Sequence, residues 1–205
     1  MNQAIVNSKC NLAVFASGTG SNFINIYNHI ISGNIFGNLV LLISNNPSCK
    51  AVEFAKKNSI NYEIINKFRF SNNVNIQDKM FEVLKDNNIN LIVLAGYMKK
   101  IPAKIIEKYN KKIINIHPAL LPKFGGKGFY GMNVHKAVIN SNEKESGITI
   151  HFVNSEYDAG DIIYQKEIKV LKEDSPETLA KRVLELEHKS YPRIVKQFCE
   201  KYNRS

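Results

Sequence analysis

The chain has 205 residues, 28 of them basic and 18 acidic, for a net charge of +10. An apolar content of 44% with 22% charged residues is that of an ordinary globular protein, and the length suits one domain with a sizeable core. No apolar segment approaches the ~20 residues of a membrane span, the first residues lack the apolar centre of a signal peptide, and Cys10, Cys49 and Cys199 are too scattered for a disulfide framework, so a reducing cytoplasm fits.

Residues 1–10 read as a short tail. Leu12-Ala13-Val14-Phe15-Ala16 is a continuous apolar strand, buried on both faces. Ser17-Gly18-Thr19-Gly20-Ser21-Asn22 follows it. Phe23, Ile26, Tyr27, Ile30 and Ile31 then recur at helical spacing up to Gly33, which ends the helix. Residues 39–43 are the next strand, and Ser48 is the expected N-cap of a helix reaching Lys57. A third strand is expected over 60–65. Ile76, Met80, Phe81 and Leu84 mark a helix within 72–88, and 91–95 is the clearest buried strand. Pro102 opens a short helix to Tyr109. Residues 113–116 form a further strand, closed by Pro118, which has no N–H to donate. Strands alternating with helices at this spacing predict an α/β fold, a mostly parallel twisted sheet with helices on both faces.

After Pro118 the pattern changes. Residues 120–131, rich in Gly and Pro, read as a long loop, and 132–140 as a helix. Residues 147–153 and 161–170 are strands joined around Tyr157-Asp158-Ala159-Gly160, expected as an antiparallel addition to the sheet. Ser175-Pro176 opens a long terminal helix, with a bend expected at Pro192.

Three features carry chemistry. In Asn115-Ile116-His117-Pro118 the first and third side chains share a face of the strand, so a carboxamide and an imidazole aim at one point. That suits a reaction in which a carbonyl oxygen becomes an oxyanion; the plainer reading is a strand end whose polar groups satisfy local loop carbonyls. In Gly18-x-Gly20-Ser21-Asn22 the glycines allow close backbone approach and the helix start favours an anion. The loop lacks the lysine of a P-loop and the third glycine of a dinucleotide fingerprint, so a monophosphate fits best. Asp158, in a turn, would raise the pKa of His117 if it lay beside the ring, and is otherwise an ordinary turn aspartate.

His29, His135, His151 and His188 lack metal-site spacing and read as surface or strand histidines; no metal is expected. No base neighbours Ser146, Ser155 or Cys199 in sequence, so a covalent nucleophile has no support. The lysines are scattered, without a basic block interleaved with aromatics, so nucleic-acid binding is not expected. A positive field still favours small anionic substrates.

Together these motifs resemble the phosphoribosylglycinamide formyltransferases, folate-dependent enzymes of purine synthesis. The likeness runs from residue 11 to residue 201. It includes the Ser17–Asn22 loop, Leu94-Ala95-Gly96-Tyr97-Met98, Asn115-Ile116-His117-Pro118 and Leu120-Leu121-Pro122. It continues through His151-Phe152-Val153, Asp158-Ala159-Gly160 and Glu187-His188. The resemblance implies a Rossmann-like formyltransferase fold. It implies transfer of the formyl group of 10-formyltetrahydrofolate, a co-substrate, to the amine of 5-phosphoribosylglycinamide. Asn115, His117 and Asp158 match the family's catalytic group. Gly18, Thr19, Gly20, Ser21 and Asn22 match its phosphate loop, and Glu187 a residue that contacts the same substrate. The folate-side walls match Met98, Lys99, Lys100 and Ile101, and the turn Asn154, Ser155, Glu156, Tyr157 and Asp158. Many members have arginine near Asn73, where the nearest here is Arg69, and arginine where Lys99 or Lys100 stands.

The chain is then expected to be a single formyltransferase domain, with the tail over 1–10, a phosphate-binding half over 11–118, and folate-side loops, hairpin and terminal helix over 119–205. A monomer or homodimer acting on small molecules in the cytoplasm is expected. A formyltetrahydrofolate hydrolase would be expected to carry an N-terminal regulatory domain and to lack the G-x-G-S-N loop. A methionyl-tRNA formyltransferase would carry a further C-terminal domain. A noncatalytic phosphate- or nucleic-acid-binding module leaves the Asn115, His117 and Asp158 set without a purpose.

Overall fold

The computed structural model describes residues 9–70 and 75–203. Asn73 and the tail residues 1–8 lie outside the described residues. The elements follow in the order β1 (Cys10–Phe15), α1 (Ser21–Ile31), β2 (Gly37–Ser44), α2 (Lys50–Lys57), β3 (Tyr62–Ile64), α3 (Ile76–Asp86) and β4 (Leu91–Leu94). Then come α4 (Ala103–Lys108), β5 (Ile113–His117), α5 (Met132–Asn140), β6 (Glu145–Phe152), β7 (Ile162–Lys169) and α6 (Pro176–Asn203).

One seven-stranded sheet runs in the order β3-β2-β1-β4-β5-β6-β7. The strands up to β5 are parallel; β6 and β7 join antiparallel. The apolar runs are continuous because both faces of the sheet are covered. Leu12 and Val14 of β1 enter one core with α1, α2, α5 and α6, while Ala13 and Phe15 enter the other with α3 and α4. Alternation along the strand sends neighbours to opposite layers.

Most expected elements are present, with two local corrections. The third strand is shorter than expected, Tyr62–Ile64. Helix α2 is capped at Cys49 rather than Ser48, and no side chain bonds its first turn. Asn46 is the competitor: its Oδ1 accepts the Ser48 N–H at 3.1 Å, which holds Ser48 in the turn before the helix.

Helix α6 runs through Pro192 and is anchored deep in the sheet. The fully buried Tyr191 donates its hydroxyl to Leu94 O at 2.8 Å, with Ile114 O at 3.2 Å from the same oxygen. Leu94 ends β4 and Ile114 is the second residue of β5, so one phenol ties the helix to the two strands beneath the site. Tyr191→Phe removes this donor. We expect it to destabilise the protein by about 1–3 kcal/mol, read as a lower midpoint in urea; an unchanged midpoint would show that the strand carbonyls do not depend on this donor.

Candidate active site

In the strand order, β1 lies between β2 and β4, the point where successive connections diverge. Open α/β sheets bind ligands in the crevice at the carboxyl ends of such strands. Two adjoining cavities lie there. One of about 500 Å³ is lined by the 18–22 loop, Met132, His135 and Glu187. The other, about 220 Å³, is lined by Asn115, His117, Tyr157, Asp158 and the 126–131 loop. Gly96, Met98, Ile116, Pro118 and Gly131 line both.

The larger cavity has an anion-binding end. Gly18, Thr19, Gly20, Ser21 and Asn22 all line it. Gly20 precedes α1 with φ 73, and no side chain caps the helix or places an acid in its first turn. The first N–H groups of α1 are therefore open to a ligand, at the positive end of the helix dipole. A Cβ on Gly20 would lie 2.8 Å from Ala51 Cβ, so the loop's shape depends on glycine at that position. Behind it, Asn22 donates Nδ2–H to Glu187 Oε2 at 2.6 Å. Both side chains are buried, and Asn22 Oδ1 has no partner among the described residues. Burial pushes the Glu187 carboxyl up to about 7, more than the Asn22 bond lowers it. His135 reaches the same cavity from α5 with Nδ1 unpartnered; burial, reinforced by the charge of His117, pulls it down to about 4.

The smaller cavity holds the strand-end pair. Register places Asn115 opposite His151 across the β5–β6 pairing. His151 Nδ1 lies 2.8 Å from Phe152 O; a carbonyl only accepts, so Nδ1 carries the proton. In the neutral ring Nε2 then accepts from Asn115 Nδ2 at 3.1 Å. The second Asn115 N–H points to Asp158 Oδ1 at a long 3.5 Å. Asp158 Oδ2 is 3.6 Å from His117 Nδ1 and accepts the Gly126 N–H at 3.0 Å. His117 Nε2 donates to Phe124 O at 2.7 Å. The turn that returns Asp158 to the site closes because residue 160 is glycine: a Cβ there would lie 1.8 Å from Phe152 O.

The structure thus joins Asn115, His117 and Asp158, as the sequence motifs lead one to expect, and adds His151. That residue is a strand histidine, as expected, in β6. It is buried 3.6 Å from Asp158 Oδ1, and strand pairing is what brings it there. Sequence spacing carried no signal for a partner 36 positions away. His135, likewise expected at a surface or strand, is buried on a helix. The expected rise in the His117 pKa is also overturned. Burial lowers it by more than the Asp158 charge and the Phe124 carbonyl raise it, so the ring is held toward its neutral form. For Asp158 the balance goes the other way. Burial raises it, but His151, the charge of His117 and the Gly126 N–H together hold it below the usual carboxylate value.

On the expected folate side, Met98, Tyr157 and Asp158 line the smaller cavity. Lys99 is exposed and lines neither cavity, and Lys100 Nζ sits 5.6 Å over the Tyr157 ring, joining the two walls. Ile101 is buried in the core beneath its wall. Asn154 closes its own turn, donating to Ala159 O and accepting from Glu156 N, while Ser155 and Glu156 face solvent.

Glu187 and His135 set opposite pH dependences. Folding keeps a proton on Glu187 that the unfolded chain has released, so this stabilisation is full below pH 4.5 and lost as pH rises through about 7. The unfolded chain protonates His135 below pH 6.5 while the folded one resists to about 4, so that stabilisation is lost as pH falls through this window. Glu187→Gln keeps the bond from Asn22 and removes the buried charge. We expect the variant to be more stable than the parent at pH 8, by on the order of 3 kcal/mol for a carboxyl moved from 4.5 to about 7, and to lose that advantage near pH 4.5. Urea denaturation at both pH values checks this; an equal effect at both would refute the charge argument.

Residues 10–195 match the model of the formyl transferase family. The chain is 45% identical to the chloroplastic phosphoribosylglycinamide formyltransferase of Arabidopsis thaliana over 92% of its length. It spans 65% of that relative and 61% of a second plant relative. It is 38% identical to phosphoribosylglycinamide formyltransferase of Bacillus subtilis, covering 94% of this chain and 96% of that one. The solved glycinamide ribonucleotide transformylase 1 of Geobacillus kaustophilus superposes with a TM-score of 0.86 at 30% identity, over 94% of this chain and all of that one. The chain therefore belongs to the formyl transferase family, among the phosphoribosylglycinamide formyltransferases.

Proposed function

We propose that this protein transfers the formyl group of 10-formyltetrahydrofolate to the amine of 5-phosphoribosylglycinamide. The observation that carries the reading is the pair of adjoining cavities, one ending at an uncapped helix start and the other at Asn115, His117 and Asp158. The phosphate binds the first N–H groups of α1. The amine then reaches across the shared wall at Ile116 and Pro118. The flat folate ring enters between Met98 and Tyr157, half-exposed apolar side chains at the mouth of the smaller cavity.

Attack of the amine on the formyl carbon gives a tetrahedral intermediate with a negative oxygen. The free protein has donors close by, although each is partly occupied. The Asn115 N–H at 3.5 Å from Asp158 is the less committed of its two, and the oxyanion draws it away. His117 Nε2–H turns from Phe124 O to the same oxygen. Negative charge developing beside His117 favours its protonation, and Asp158 at Nδ1 stabilises the imidazolium. The ring, neutral at rest, is charged while the oxyanion stands, because it holds the proton that the attacking amine sheds until that proton moves on. Water carries the amine proton to N10 as the C–N bond breaks. Glu187, Gly18 and Thr19 hold the ribonucleotide; Lys99, Lys100 and the Asn154–Tyr157 turn flank the folate tail. In this reading the protein is a cytoplasmic monomer or homodimer with small-molecule substrates, no nucleic acid and no metal. Among the described residues, no helix is long and apolar enough to cross a membrane.

The test is an assay of formyl transfer with 5-phosphoribosylglycinamide and 10-formyltetrahydrofolate. Asp158→Asn is expected to lower kcat by about 10²-fold, the scale of losing one element of oxyanion stabilisation, with both substrates still bound. His117, no longer beside a charge, then titrates at lower pH in the NMR spectrum. Loss of the formyl donor by hydrolysis alone, indifferent to the ribonucleotide, would sink the transferase reading.

A further inference from the structure

We infer that the larger cavity takes up its phosphate monoester together with one proton, and that Glu187 is the residue that receives it. The inference rests on the phosphate reading of the 18–22 loop. It starts from an omission in the wall: no lysine or arginine is among the described residues lining this cavity. Helix N–H groups and hydroxyls must hold the anion with no cationic side chain to balance it. The cavity wall instead carries a buried carboxylate. Glu187 has one hydrogen bond, from Asn22 Nδ2, and Asn22 is itself the second residue of α1. Asn22 is 7% exposed, lines the cavity and keeps Oδ1 without a partner, so the wall is built for a polar ligand.

A phosphate monoester is close to a dianion above its second pKa of about 6. Placed in a cavity of about 500 Å³ beside a buried carboxylate, it makes a pair of like charges in a poorly solvated space. Like charges sharing one cavity are relieved by protonating the weaker acid, here the carboxyl that burial already pushes up to about 7. Protonation also changes the sign of the contact, because a carboxyl O–H donates where a carboxylate repels. The bond from Asn22 survives on the other oxygen.

The neighbouring titratable groups are poorer receivers. His135, facing in from α5, is held near 4 and would need a much larger shift. Tyr191, one turn along α6, is already protonated and its hydroxyl is given to Leu94 O, with Ile114 O close by. His188, next to Glu187 on α6, does not line the cavity, and burial lowers its pKa too. From α1, the facing group is the uncharged Asn22.

The probe is ribose 5-phosphate, titrated by calorimetry into the full chain at pH 8 in two buffers of different ionisation enthalpy. The parent protein is expected to take up close to one proton per ligand, and its affinity to fall roughly tenfold per pH unit above 8. Glu187→Gln is expected to bind without proton uptake and with a flat pH profile, while His135→Gln keeps the uptake. Binding by the parent with no buffer dependence overturns the inference and leaves the phosphate site standing. Uptake that persists in Glu187→Gln, or vanishes only in His135→Gln, also overturns it. No binding by the parent at any pH removes the phosphate reading and the inference with it.

Discussion

The pairing of β5 with β6 is the constraint on which the site depends. Because β6 runs antiparallel, its register sets Asn115 opposite His151 and His117 opposite Thr149. A slip of one residue would turn each of these side chains to the other face of the sheet. The same pairing sends the chain out through Phe152 and back through a turn that returns Asp158. That turn crosses Phe152 O so closely that only glycine fits at position 160. Strand β5 alone supplies two polar groups at a strand end. Its antiparallel neighbour converts them into a network of two imidazoles, a carboxamide and a carboxylate.

Within that network, burial and charge act against each other, and the outcome differs by residue. At His117 burial wins; at Asp158 the surrounding donors win. The result is a carboxylate facing a largely neutral ring at rest. Such an arrangement is poised for a negative charge to appear beside it, because the ring then gains a reason to protonate and already has its counter-ion. The larger cavity shows the same economy. It holds a carboxyl near neutrality, a neutral imidazole and an open helix start, with no cationic side chain among the described residues of the wall.

The long terminal helix links these two regions. Glu187 faces the larger cavity, and Tyr191, four residues on, reaches through to the carbonyls of β4 and β5. Spacing of one helical turn puts both on one face. Position of the anion end and position of the strand ends are therefore set by one rigid element, which is how two cavities keep a fixed distance between their reacting groups.

The parallel character of the strands up to β5, the 18–22 loop at a helix start, the Asn115/His117 pair on one face of a strand and the antiparallel hairpin were all legible in the chain itself. Each depends on local periodicity, turn chemistry or spacing of two, which neighbours along the chain decide. The cap of α2 was misread because Asn46 competes locally for the Ser48 N–H. What only the tertiary structure decided involves residues far apart in sequence. His151 joins Asn115 through strand register, Glu187 meets Asn22 across 165 positions, and Tyr191 reaches the strand carbonyls from a helix that follows both strands. The protonation states of His117, His135 and Glu187 belong to this class as well. A side chain's charge depends on how much water the fold removes from it, and no local pattern records that quantity.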